Sequence, residues 1–139
     1  DIQCALGVSQ MKKLDGFVSR RRALAKRYDD AFSGTCFIKP AQTTGRDLSA
    51  HHLYPVRIDF GAAKTTRAAF MGELRRHGVI AQVHYIPVTM QPFYQRYNIN
   101  AADYPHANRY YAEALSLPLY VDLTDAQQDS VIALLMGMR

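Results

Sequence analysis

Cysteine is scarce in this chain. Its 139 residues hold only Cys4 and Cys36, far apart and in no metal-binding or redox spacing. A reducing, cytoplasmic home is therefore expected. No uninterrupted apolar run approaches the length that spans a bilayer, so no membrane partner is expected. No basic patch followed by an apolar stretch opens the chain, so no segment reads as a signal peptide. Glycine-rich phosphate loops are missing, both G-x-G-x-x-G and the P-loop. No nucleophile-elbow serine is present. The carboxylates are scattered, and neighbours such as Asp29 and Asp30 point in different directions on a predicted helix. The chain has no internal repeat and no low-complexity segment.

What is present is enough for a packed domain. The hydrophobic fraction is 48% and the charged fraction 21%, a balance that buries a core. The length suits one domain, residues 1–139. Seventeen basic against 12 acidic residues give a net charge of +5. Such a surface can attract phosphate-bearing ligands, nucleic acid or acidic lipid, or simply keep a domain in solution. The chain opens on Asp1, and Ile2, Ala5 and Leu6 already follow helical spacing. A piece of a larger protein is the expectation.

Apolar positions at Ile2, Leu6, Leu14, Phe17, Leu24, Tyr28 and Phe32 predict one long helix over 1–32, or two in line. Ser33 and Gly34 stop it. Residues 37–40 read as a short strand and 41–50 as a loop. Residues 53–60 read as a strand whose early part, at Pro55, belongs at an edge or bulge. Thr65 or Thr66 caps a short helix with Phe70, Leu74 and His77 on one face, and Gly78 ends it. A second strand is predicted over 79–85, then an aromatic- and proline-rich stretch over 86–97 and a turn-rich link over 98–102. Asp103 caps a helix that reaches Leu115, with Pro105 in its first turn. A strand over 117–120 follows. Thr124 and Gln127 form a capping box for the last helix, which carries Val131, Ile132, Leu134 and Leu135. The predicted fold class is α+β: a two-layer small domain with a long N-terminal helix and a small, mainly antiparallel sheet covered by helices.

Most titratable candidates have ordinary structural readings. His51 and His52 are neighbours at a strand start and face opposite sides, so they do not share a metal. His77 suits a helix C-terminus, and His106 has no visible partner. Lys12, Lys13, Lys26, Lys39 and Lys64 lie on charged helix surface or beside loops, where no shielded pocket for a Schiff base is expected. No catalytic, cofactor-holding or metal-ligating residue is expected in this chain. His84 stands apart, at a strand end that Pro87 and Pro92 stiffen. Gln82 and His84 fall on one face of that strand, Val83 and Tyr85 on the other. In the following stretch Phe93 reads as core or interface packing, and Tyr94 and Tyr97 as packing residues with exposed hydroxyls.

The motifs together resemble a known family. Residues 1–15, DIQCALGVSQMKKLD, are similar to the DIQAALGLSQLKKLD helix of the DegT/DnrJ/StrS-type aminotransferases, and Arg20-Arg21-Arg22 with Arg27-Tyr28-Asp29 continue its pattern. His52-Leu53-Tyr54, residues 82–88 (QVHYIPV), residues 115–119 (LSLPL) and Leu123-Thr124-Asp125 match further family segments in family order. The QVHYIPV form most resembles the branch that makes pseudaminic acid precursors. Thr89 departs from the histidine, and Cys4 from the alanine, that many relatives carry.

The resemblance implies a fold-type I enzyme that uses pyridoxal phosphate. It implies transfer of an amino group from glutamate to the 4-keto carbon of a UDP-linked deoxysugar, in a homodimer with sites at the subunit interface. It makes this chain the small C-terminal domain and places the catalytic lysine in a large domain upstream of Asp1. It assigns substrate binding to Gln82, Val83, His84 and Tyr85; of these, His84 and Tyr85 suit sugar or phosphate oxygens as hydrogen-bond donors. Two other readings stand beside it. The basic residues from Lys12 to Arg27 could serve a nucleic-acid or protein-binding module, although they wrap around the helix, and no nucleic-acid partner is expected. A dehydratase relative using the same cofactor is the other.

Overall fold

The computed structural model describes residues 1–35, 38–42, 44–46, 48–97 and 99–138, apart from the side chains of Lys39 and Gln95. The predicted long helix is two helices, α1 (Ile2–Met11) and α2 (Leu14–Phe32). They are separated at Lys12 and Lys13, both still in right-handed backbone conformation. α1 buries none of its residues. α2 buries Leu24, Ala25, Tyr28 and Phe32, a stripe in which positions 24, 28 and 32 recur every fourth residue. Gly34 then takes a left-handed backbone (φ 82°), which a side chain would strain.

Three antiparallel strands follow, β1 (Ile38–Pro40), β2 (Tyr54–Ile58) and β3 (Ala114–Leu117), in the order β1-β2-β3. The expected strand over 37–40 is present from Ile38; Phe37, like Cys36, Thr43, Asp47 and Asn98, lies outside the described residues. Pro55 is on the central strand, not an edge. Its carbonyl accepts from the Ala41 amide, just past the end of β1, so its missing N–H falls where the ladder has already ended. Tyr54, Val56 and Ile58 alternate inward along β2, and all four residues of β3 are buried.

Of the connecting helices, the one after Thr66 and the last one follow their local signals closely. α3 (Arg67–Arg76) is capped by Thr66, whose hydroxyl accepts from the Ala69 amide. Phe70 and Leu74 are buried, while His77 is exposed at the C-cap and bonds Glu73. A 3-10 turn (Val88–Met90) and the short α4 (Pro92–Gln95) follow, then a second 3-10 turn (Ala101–Asp103). Asp103 closes that turn instead of capping a helix. α5 (Pro105–Glu113) starts behind Tyr104, and it ends before Leu115 because Ala114 is already extended and paired opposite Arg57. The strand predicted at 117–120 therefore lies three residues earlier. α6 (Asp125–Gly137) opens on the predicted capping box of Thr124 and Gln127 and buries Gln128, Val131 and Leu135. Among the described residues no helix is long and apolar enough to cross a membrane.

The predicted strand over 79–85 does not form. Its first amide, Val79, is used to close α3 onto the Leu74 carbonyl. Among the described residues its backbone pairs with the sheet only where Gln82 bridges Ser116.

Candidate functional site

The site grows from the outer edge of β3. β2 occupies one edge of that strand. At the other edge the Ser116 amide donates to the Gln82 carbonyl (2.7 Å) and the Gln82 amide donates to the Ser116 carbonyl (3.1 Å). This pair of bonds fixes the start of the segment. Two residues on, Nδ1 of His84 lies 2.9 Å from Oγ of Ser116, so the imidazole is tied to a side chain that is only 5% exposed. Gln82 and His84 share a side, as their i, i+2 spacing requires. Both line a cleft of about 180 Å³ together with Leu53, Ile80 and Pro118.

Val83 turns inward against the core. Tyr85 does not share that environment, as strand alternation would have it. It is 68% exposed, because regular pairing lasts for a single residue and the pleat is not propagated. The His84–Tyr85 peptide bond is cis. Downstream, Phe93 is exposed and not a core residue. Its ring is covered by the guanidinium of its own neighbour Arg96 at 3.7 Å, with Tyr94 and Tyr97 beside it.

Other candidates resolve into structural roles. His51 is buried, its Nε2 2.9 Å from the Arg46 carbonyl and its amide donating to the Ser49 hydroxyl. His52 and His106 are exposed. Among the described residues, no three His, Cys, Asp or Glu side chains could hold a metal. Part of the basic helix surface is paired internally. Arg20 donates to Asp125, Arg27 to Asp129, Lys26 to Asp30, and Arg22 to the Ser49 carbonyl. A larger cleft of about 430 Å³ lies between the end of α3 and the start of α6, lined by His77, Tyr120, Leu123 and Gln127 among others. None of residues 82–85 reaches it.

Ser116 is the site residue that periodicity does not reveal. In the sequence it is one polar residue in the apolar run 114–119. The signal is that a buried hydroxyl needs a partner.

Pyridoxal phosphate, which the family resemblance implies, is held in such enzymes through a lysine in a shielded pocket. Lys12, Lys13 and Lys64 are exposed, and exposed Lys26 is ion-paired with Asp30 at 2.7 Å. None of these four lysines lies in a shielded pocket within this chain.

Comparison with known proteins agrees with this architecture. Residues 1–136 match the DegT/DnrJ/EryC1/StrS aminotransferase family model. The chain is 37% identical over 134 residues to the spore coat polysaccharide biosynthesis protein SpsC of Bacillus subtilis, covering 95% of this chain and 34% of that protein. It is 32% identical over 123 residues to the UDP-4-amino-4,6-dideoxy-N-acetyl-beta-L-altrosamine transaminase of Helicobacter pylori, covering 88% and 32%. A Streptococcus pneumoniae protein assigned as a sugar aminotransferase, solved in apo, PMP and PLP forms, superimposes in its apo form with a TM-score of 0.89 at 28% identity, over 99% of this chain and 34% of that one. The chain thus spans about a third of the length of the curated relatives it matches. With an α+β fold and a match that runs almost end to end, the chain belongs to the DegT/DnrJ/EryC1/StrS aminotransferase family.

Proposed function

We propose that residues 1–139 are the small C-terminal domain of a cytoplasmic, pyridoxal phosphate-dependent sugar-nucleotide aminotransferase, with Gln82, Val83, His84 and Tyr85 as its substrate-facing segment. The whole protein would move an amino group from glutamate to the 4-keto carbon of a UDP-linked deoxysugar, releasing 2-oxoglutarate, and would work as a homodimer. The observation that carries the reading is the open-surface placement of Lys12, Lys13, Lys26 and Lys64 in a chain of aminotransferase fold. Such a domain helps shape and close a site whose covalent chemistry is supplied by another part of the protein. The segment's contribution is binding: His84 and Gln82 line one cleft, and their side chains can hydrogen-bond sugar or phosphate oxygens. The transaminase named for a UDP-linked amino sugar among the relatives supports that substrate class.

The test uses the whole protein that carries this chain. Incubated with pyridoxal phosphate, glutamate and a UDP-linked 4-keto-deoxysugar, it is expected to yield the 4-amino sugar and 2-oxoglutarate in equal amounts. Borohydride reduction before substrate is added should fix the cofactor to a lysine outside residues 1–139. A stable adduct on Lys12, Lys13, Lys26, Lys39 or Lys64 would overturn the reading. Loss of a sugar hydroxyl without consumption of glutamate would replace it with the dehydratase alternative.

A further inference from the structure

We propose that Ser116 is a positioning residue that holds neutral His84 with its ring proton on Nε2, so that the imidazole offers a hydrogen-bond donor to an oxygen of the sugar nucleotide. The second half rests on the reading of residues 82–85 as substrate-facing; the first half stands on hydrogen-bond accounting alone.

A neutral imidazole carries one proton, on either nitrogen, and the partner of one nitrogen decides which. Nδ1 of His84 lies 2.9 Å from the Ser116 hydroxyl. That hydroxyl has one hydrogen to place. Among the described residues Nδ1 is its only hydrogen-bond partner, and the Ser116 amide and carbonyl are both committed to Gln82. If Nδ1 carried the proton, it would donate to Oγ and leave the serine hydrogen without an acceptor on a residue that is 5% exposed. An unsatisfied buried donor is the costly alternative. Ser116 therefore donates, Nδ1 accepts, and the proton sits on Nε2. Nε2 has no protein partner among the described residues, and the ring lines the cleft shared with Gln82.

The geometry also explains why the ring holds its direction. Ser116 is on β3, paired on one edge with β2 and bridged on the other by Gln82. The imidazole is thus anchored to the sheet, and not only to its own irregular segment. A polar group held this way keeps its orientation before a ligand arrives, which lowers the cost of binding.

The experiment labels histidine with ¹⁵N in the whole protein, at a pH where His84 is neutral, and reads the two ring nitrogens of His84. Nδ1 is expected at the shift of an unprotonated nitrogen and Nε2 at that of a protonated one. Ser116→Ala should let both tautomers exchange and draw the two shifts together; Ser116→Thr, which keeps the hydroxyl, should restore the split. A proton on Nδ1 in the unaltered protein, or a Ser116→Ala spectrum identical to it, would overturn the assignment. With the UDP-linked 4-keto-deoxysugar as substrate, Ser116→Ala should raise KM by roughly three- to tenfold, the loss expected for one hydrogen bond, while kcat changes little and Ser116→Thr recovers KM. An unchanged KM alongside mixed tautomers would overturn the substrate half. Protein without transaminase activity but with the expected nitrogen pattern would sink the aminotransferase reading and uphold the role of Ser116.

Discussion

Replacing Tyr28 by alanine is expected to destabilise the fold by about 3–5 kcal/mol, the cost typical of deleting a large aromatic side chain from a core. Tyr28 is completely buried. Its ring stacks on Tyr54 at 4.8 Å and on Phe32 at 5.7 Å between centroids. It is thus one point where α2 meets the central strand. Its hydroxyl donates to the Pro118 carbonyl at 3.0 Å. Pro118 directly follows β3 and is two residues beyond Ser116, so the same side chain that fills the core also steadies the strand that anchors His84. Tyr28→Phe keeps the ring and loses only that bond, for about 1 kcal/mol. Hydrogen exchange separates the two variants. The amides of Gln82 and Ser116, which bond each other's carbonyls, should lose most of their protection in Tyr28→Ala and keep most of it in Tyr28→Phe. Equal protection in both would mean that the core and the site are not coupled through this residue.

The helices were legible in the sequence because their signals are local. Thr66, Gly78, and Thr124 with Gln127 mark helix ends within a few residues of the bonds they make, and the stripe Leu24, Tyr28, Phe32 states which face of α2 is buried. The break at Lys12 and Lys13 was left open by periodicity because apolar spacing continues across it. The strands were less legible because pairing is decided at a distance. Whether residues 79–85 form a strand depends on what lies beside β3, and of this segment only the Gln82 backbone pairs with it. Likewise Pro55 reads as an edge signal, yet it sits on the central strand, opposite Ala41, one residue past the end of β1.

The candidate site divides in the same way. His84 could be singled out from its position before two prolines, and the family resemblance supplied a substrate role for its segment. Ser116 could not, since it is 32 residues away in sequence and looks like an interruption in an apolar strand. For Phe93, read as core or interface packing, the core half is not met. Apolar character argues for burial, but the side chain that covers it is its own neighbour Arg96, and no periodicity rule weighs a cation stacked on an aromatic face.

Stability should fall steeply once the pH rises above about 10, and the cause should be Tyr28 and Tyr54. Burial pushes the phenol of each above the ordinary tyrosine value of 10.0. For Tyr54 the hydrogen bond to Asp29, 2.6 Å long, raises it further. The neighbouring Tyr120 adds to the effect on Tyr28, partly offset by Gln128. The sign follows from proton counting. Below about pH 10 both phenols are protonated whether the chain is folded or not, and they add no pH dependence. Above it the unfolded chain releases both protons while the folded one retains them. The native state then binds more protons, and unfolding becomes easier as pH rises. Each tyrosine contributes a slope of at most about 1.4 kcal/mol per pH unit, continuing up to its folded-state value. Lysines ionise in the same range, so the discriminating comparison is Tyr54→Phe, which removes one of the two protons. Arg46 remains paired with Asp29 in that variant. Burial also raises the Tyr110 phenol; once its contribution and that of the lysines, common to both proteins, are subtracted, unfolding midpoints measured from pH 9 to about 11.5 should decline about half as steeply in Tyr54→Phe as in the unaltered protein. Parallel profiles would show that the Tyr54 phenol is not held in its neutral form by the fold.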